Sequence, residues 1–398
     1  VYPYDRTVVS GKRKASEPVD GGDGRGGAPI DLQVGETLAG KYRIERLLGR
    51  GGMGTVWLCT NLRLGERVAV KVLSGAIANN AEVRARFERE ARASAKIKSR
   101  YVARVYDADH LEDGRPFLVM EYMEGETLAH TIRASGPLPL ADAVRILTQV
   151  GRGLARAHEL GIVHRDIKPD NVFLAHTADD GVIAKVFDFG IVKVADALSV
   201  TDDATQEGAL LGTPQYMSPE QVEGSATIDL RSDVYSLGVM AFRLLTGKRL
   251  FNGETLSTTL MQICSAPLPS LAEAVPGLPA AMDAWFRRTC ARDREERFPS
   301  ALECVDALAS AAGVPDSPEI TVPPPPMTGA GGVDLVVTPH PLDVGTGSSS
   351  FSSPQSLTPG GAFQQPPTEA PPRSNARVAI LAGAAIVCVL GAVALTRT

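Results

Sequence analysis

His164-Arg165-Asp166-Ile167-Lys168-Pro169-Asp170-Asn171 is followed, after 16 intervening residues, by Asp188-Phe189-Gly190. The carboxylates of Asp166 and Asp188, the ammonium of Lys168 and the amide of Asn171 thus stand at fixed spacing. They are bracketed by two apolar runs prone to β structure, Val172-Phe173-Leu174 and Ala184-Lys185-Val186-Phe187. The pattern predicts a loop between two short strands, the second of which delivers Asp188 beside Asn171. Magnesium takes oxygen ligands, usually one or two carboxylates together with phosphates. In-line attack on a phosphoryl group asks for a carboxylate near the nucleophile and a cation on the moving charge. This stretch holds residues for both tasks.

Upstream, Gly49-Arg50-Gly51-Gly52-Met53-Gly54 separates two strand-like runs, Tyr42 to Leu48 and Thr55 to Cys59. G-x-G-x-x-G also occurs in dinucleotide-binding folds, but there it opens a helix. Here β-branched and aromatic residues follow, so the glycines bend a hairpin whose backbone N–H groups can lie over phosphates. Val68-Ala69-Val70-Lys71-Val72-Leu73 is apolar except for one lysine, and a lone ammonium in a buried strand needs an anionic partner. A helix is expected over residues 81–98. Val83, Phe87, Ser94 and Ile97 mark one of its faces, with Glu90 on the same side. Glu88 falls instead between Arg84 and Arg92, a solvated arrangement. Glu90 is therefore the inward carboxylate, the alternative being a surface partner for Arg86. Further on, residues 116–120 read as a buried strand and 141–160 as a buried helix.

Taken together, these motifs resemble the bacterial eukaryotic-like (Hanks-type) serine/threonine protein kinases, over about residues 41–311. The resemblance implies an α+β, bilobal protein-kinase fold: a small β-rich lobe with one key helix (41–119), a hinge (120–125) and a large, mainly helical lobe (126–311). It implies ATP with Mg2+ (or Mn2+) as cofactors, protein serine and threonine hydroxyls as acceptors, and Asp166 as the residue that orients and deprotonates them. Lys168 would hold the γ-phosphate, and Asn171 and Asp188 the metal. Lys71 would reach the α- and β-phosphates while paired with Glu90. The nucleotide pocket would comprise Gly49, Gly51, Gly54, Val56, Ala69, Met120 as gatekeeper, the backbone of Glu121 and Met123, and Phe173. A pseudokinase scaffold that binds nucleotide and partner without phosphotransfer is the alternative, disfavoured by the intact Lys71, Asp166, Asn171 and Asp188.

Residues 191–212 correspond to the activation segment. Thr201 and Thr205 are the expected autophosphorylation sites there, with Glu207 supplying fixed charge or standing as an ordinary loop residue. Arg165, just before Asp166, is placed to receive a phosphate from that segment. Gly212-Thr213-Pro214-Gln215-Tyr216-Met217-Ser218-Pro219-Glu220 resembles the substrate-docking end, with Thr213 bonded to Asp166 and Lys168. By the same resemblance Asp233 accepts N–H groups of the catalytic loop, and Arg297 pairs with Glu220.

The remaining sequence sets limits and adds a membrane. A net charge of −5 gives no basic excess to neutralise nucleic-acid phosphates, so no nucleic-acid partner is expected. Five scattered cysteines without C-x-x-C spacing indicate neither a zinc site nor a disulfide framework. Residues 1–40 are glycine-rich and aperiodic, the composition of a disordered tail, and show no signal peptide. Residues 312–376 are a Pro/Gly/Ser-rich linker in which no core can form. Residues 378–395 are uncharged and apolar, so 377–396 is expected to be a single transmembrane helix rather than a buried core helix. Arg373 and Arg377 against Arg397 place the kinase on the cytoplasmic side of the inner membrane. Ala379-x-x-x-Gly383 is a spacing that packs two such helices, and so a homodimer is expected.

Overall fold

Alternating side chains build the first half of the protein. The structure, a computed structural model, describes residues 32–51, 54–75, 81–177, 181–189, 214–225, 227–314 and 320. Strands β1 (Thr37–Leu38), β2 (Tyr42–Gly51), β3 (Gly54–Asn61), β4 (Arg67–Leu73), β5 (Val105–His110) and β6 (Pro116–Glu121) form one antiparallel sheet, ordered β1-β2-β3-β4-β6-β5. Along β4, Val68, Val70 and Val72 enter one apolar layer with Tyr42, Ile44, Trp57, Phe117 and Val119. Ala69 and Leu73 enter the opposite layer with Leu58, Leu118 and Met120, together with Phe87 and Ala91 of helix α1 (Ala81–Ser94). A period of two puts Lys71 on this second face, opposite Leu118 in the ladder. Each large apolar side chain so buried contributes about 1.5–3 kcal/mol.

Helix α1 is shorter than the expected 81–98. It stops at Ser94, and i→i+3 bonds such as Ile97 N–H to Ser94 carbonyl tighten the exit. The reason is Ile97, which leaves the helix face to join the core of the second half.

That second half contains α2 (Leu128–Ser135), α3 (Leu140–His158), α4 (Pro219–Val222), α5 (Arg231–Thr246), α6 (Leu256–Ser265), α7 (Leu271–Ala274), α8 (Ala281–Thr289) and α9 (Ala301–Ala312). A small antiparallel sheet, β7 (Gly125–Thr127), β8 (Val172–Thr177) and β9 (Gly181–Val186), lies among them. Helix α5 is buried along nearly its whole length, which is why its sequence is apolar all round. Helix α3 packs against α9 so closely that a Cβ at Gly151 would meet Val305 at 2.3 Å. The bilobal kinase arrangement expected above is the one observed.

Two expectations from composition need correcting. The disordered tail does not extend to residue 40, because Thr37–Leu38 pairs with β2 and Leu32 and Leu38 are buried against the sheet. Similarly, Ile320 lies within the stretch assigned to the linker, yet it is buried in the large-lobe core. In both places a few apolar side chains outweigh the surrounding glycine and proline. The membrane helix expected at 377–396 lies outside the described residues. Among the described residues no helix is long and apolar enough to cross a membrane.

Candidate active site

One buried carboxylate shapes the catalytic loop. Asp233 opens α5 and is wholly buried. Its Oδ2 accepts the His164 N–H at 2.8 Å and lies 2.8 Å from Nε2 of His158, while its Oδ1 accepts the Arg165 N–H at 2.8 Å. Arg165 can therefore hold φ at +65°, a left-handed conformation that costs a non-glycine residue about 1–2 kcal/mol. Its carbonyl is held as well, by Nε2 of Gln221 at 2.8 Å. His164 is completely buried, and burial pushes its pKa down, keeping the ring neutral. The Asp166 N–H donates to Nδ1, so Nε2 carries the proton and donates to the Phe187 carbonyl at 3.0 Å. The same ring packs against Phe189, tilted by 54° with centroids 4.7 Å apart.

The expected pair of strands, β8 and β9, is present. Val172 faces Val186 across the ladder, and beyond it the Phe187 N–H donates to the Asn171 carbonyl at 3.1 Å. That register delivers Asp188 to the loop. Asn171 Nδ2 donates to the Asp166 carbonyl at 2.8 Å and to Asp166 Oδ2 at 3.1 Å. Lys168 Nζ lies 3.0 Å from the same Oδ2. Burial works against the charge on Lys168, but Asp166 overcomes it, and its pKa is raised.

The partner of Lys71 differs from expectation. Its ammonium, mostly buried, lies 2.6 Å from Asp188 Oδ2, and Glu90 is not among its contacts. Asp188 has φ of +58°, which turns its carboxylate from the end of β9 toward β4. Helical periodicity rightly turned Glu90 inward, since its Oε2 is buried. Periodicity says nothing, however, about a competing carboxylate 117 residues further along the chain.

The residues fit a divalent cation. Asp188 Oδ1 is buried without a hydrogen-bond partner, and the amide hydrogens of Asn171 are spent on Asp166, leaving its Oδ1 turned elsewhere. Among the described residues no group of three or more His, Cys, Asp or Glu forms a closed cage. A cation here would take one carboxylate, one amide oxygen and phosphate oxygens, which is magnesium's habit.

The pocket residues converge on the same cleft. Val56, Ala69 and Met120 share one apolar layer, and Phe173 and Met123 share another. Gly54 has φ of +148°, and a Cβ there would meet the Val72 carbonyl oxygen at 2.0 Å, so this position of the glycine motif admits no side chain. Gly49 and Gly51 lie on β2 and pair with Val56 and Gly54. The Glu121 N–H is taken by the Arg104 carbonyl at 2.9 Å, so of its backbone groups only the carbonyl could join those of Met123 at a base edge. Behind Met120, Ser94, Phe187, Asp188 and Phe189 help line a cavity of about 20 Å³, room for one water molecule.

Arg297 and Glu220 form the expected pair, and Ser232 adds a bond to Glu220 Oε1 at 2.6 Å. Thr201, Thr205, Glu207 and Thr213 lie outside the described residues. Sequence reasoning missed Gln221, His158, Ser232 and Lys185. Lys185 carried the same signal as Lys71, a lone ammonium in an apolar strand; its Nζ lies 2.5 Å from Glu121 Oε1, tying β9 to the hinge. The other three had no signal, because each acts on a residue far away in sequence.

Comparison with known proteins agrees with this geometry. The protein kinase domain family matches residues 42–306. Serine/threonine-protein kinase PknA of Mycobacterium tuberculosis is 39% identical over 298 residues, 74% of this chain and 66% of PknA. Pkn1 of Myxococcus xanthus, also a serine/threonine-protein kinase, is 40% identical over 269 residues, 68% of this chain and 38% of Pkn1. The chain thus spans only part of these relatives' lengths. The crystal structure of the Mycobacterium tuberculosis PknI kinase domain superposes with a TM-score of 0.57 at 30% identity, covering 71% of this chain and 100% of that one. With the lobes, the Asp166 loop and Asp188 placed as described, the chain belongs to the protein kinase family.

Proposed function

We propose that the protein transfers the γ-phosphate of ATP to serine and threonine hydroxyls of protein substrates. The observation that carries this reading is the convergence of Lys71, Asp188, Asn171, Lys168 and Asp166 from three separate segments, β4, the 166–171 loop and the stretch after β9, into one cleft, through contacts of 2.6–3.1 Å. Asp166 receives the acceptor's proton, held in orientation by Asn171 and Lys168. Lys168 stays protonated because Asp166 stabilises its charge, and so offers a cation to the phosphoryl group in transit. Lys71 and the Gly54 hairpin hold the phosphates, while Met120 and Phe173 exclude water from the base. Magnesium, held by Asn171 and Asp188, would neutralise charge on the phosphates. Lys168, two residues after the catalytic aspartate, supports serine/threonine rather than tyrosine acceptors. The likeness to PknA and Pkn1, both serine/threonine-protein kinases, supports the same choice.

We also infer autophosphorylation at Thr205 and Thr201, and anchoring of the kinase on the cytoplasmic face of the inner membrane through 377–396, with self-association there. The uncharged run 378–395 and the flanking arginines support the anchoring. The test of the main reading is transfer of labelled γ-phosphate to a serine/threonine protein in the presence of Mg2+, with Asp166→Asn as control. Absence of label under every activating condition, while nucleotide still binds, would favour the pseudokinase alternative. Membrane fractionation of the chain with and without 377–396 tests the anchor.

A further inference from the structure

Two arginines beside the docking segment have no acidic partner among the described residues. Arg243, near the end of α5, and Arg249, on the loop after it, line one notch together with Gln215, Tyr216, Val239 and Leu250. The 3-10 turn Pro214–Tyr216 belongs to the stretch that resembles the substrate-docking segment. Arg243 is half-buried and gives one bond, from Nη1 to the Gly247 carbonyl. Arg249 is exposed and makes no hydrogen bond or ion pair among the described residues. Arg243, Arg249 and, from the catalytic loop, Asp170 all act on the buried Tyr216 phenol. Two other arginines of this lobe do have acidic partners. Arg231 meets Asp229 and Glu295, and Arg297 meets Glu220. Two guanidinium groups lining one notch beside apolar side chains, with no acidic partner among the described residues, offer a surface complementary to a carboxylate.

We infer that Arg243 and Arg249 form a specificity notch that binds an acidic side chain of the protein substrate, flanking the phosphoacceptor. The inference rests on the kinase reading, because it assigns the notch to the substrate of that reaction. The notch includes Gln215 and Tyr216 of the docking segment and no residue of the Asp166 loop, which makes it a determinant of substrate affinity rather than of phosphotransfer. Asp170 of the catalytic loop carries the opposite sign and also acts on the Tyr216 phenol. A substrate would therefore be favoured when its acidic residue lies on the α5 side.

The test uses the full chain and fluorescein-labelled peptides built on one threonine-containing sequence, with Glu, Gln or Lys placed at each neighbouring position in turn. Fluorescence anisotropy is expected to show one position where Glu binds about fivefold to tenfold tighter than Gln, an advantage that shrinks as salt is added. Arg249→Glu is expected to abolish that preference and to favour Lys. Arg249 has no bond to lose among the described residues, so this variant remains readable even if Arg243→Leu weakens the end of α5. In phosphorylation assays the Glu peptide should show a lower KM at unchanged kcat. Equal affinities for Glu and Gln peptides at every position, or an acidic preference that survives Arg249→Glu, would overturn the inference. Failure to phosphorylate any peptide, alongside an intact Glu preference in binding, would instead remove the kinase reading and leave the notch.

Discussion

Arg297 and Glu220 stand 77 residues apart in sequence and meet in the interior through two parallel bonds of 2.8 Å, the guanidinium wholly removed from solvent. Arg297 also donates to the carbonyls of Ala291, Arg231 and Arg292, so that one side chain ties the docking segment, the start of α5 and the loop before α9.

Removing one member of such a pair strands the other charge. Arg297→Ala is expected to cost about 3–5 kcal/mol of unfolding free energy. Arg297→Lys should recover only a fraction, since an ammonium cannot reproduce the paired geometry. Urea denaturation of the purified variants, monitored by circular dichroism, checks both.

The same pair makes a pH prediction. Burial raises the pKa of Glu220, but the bonds from Arg297 and Ser232 prevail and bring it down from 4.5 to about 2. With the folded pKa below the unfolded one, the contribution is complete above about pH 4.5 and is lost as pH falls toward 2. The expected outcome is a stability difference between the unaltered protein and Glu220→Gln that is constant from pH 7 to 5 and shrinks below that, by about 3 kcal/mol in total. Denaturant midpoints at stepped pH measure it.

Asp233→Asn tests how the loop is shaped. The amide keeps one acceptor oxygen where two oxygens now take the His164 and Arg165 N–H groups and face His158. Arg165 should lose its left-handed conformation. Because Asp233 touches no residue assigned to the nucleotide pocket, kcat is expected to fall by roughly tenfold or more, about 1.4 kcal/mol in the barrier, with nucleotide affinity little changed. Steady-state kinetics beside a nucleotide-binding titration separates the two effects.

Lys185→Met should loosen the hinge. The Lys185 ammonium and the Glu121 carboxylate are mostly buried together, and Glu121 Oε2 also accepts the Arg104 N–H at 3.2 Å. Stranding Glu121 is expected to cost about 2 kcal/mol. Glu121→Gln in the Lys185→Met background should restore part of that loss, and thermal melts of the two variants report it.

Local chemistry was legible wherever one segment carries it whole. The period of two in β4 put Lys71 on an interior face, the glycines and following β-branched residues read as a hairpin, and the spacing from Asp166 through Asn171 to Asp188 implied two strands around a loop. These readings needed only distances along the chain, which bond geometry converts into direction. The composition of residues 32–40 and of the stretch around Ile320 misled for the opposite reason, since an average over a segment hides single apolar residues that a distant core can cover.

What residue order by itself determined is the set of chemical groups and the faces of the strands and helices that present them. Only the tertiary structure decided which of two carboxylates Lys71 meets, that Asp233 and Gln221 hold the Arg165 N–H and carbonyl, and that Arg243 and Arg249 end beside Tyr216 with no acid paired to them among the described residues. Such pairings depend on how separate elements are brought to within a few ångströms, and electrostatic and hydrogen-bond energies fall off too steeply with distance for one segment's pattern to foretell its partner.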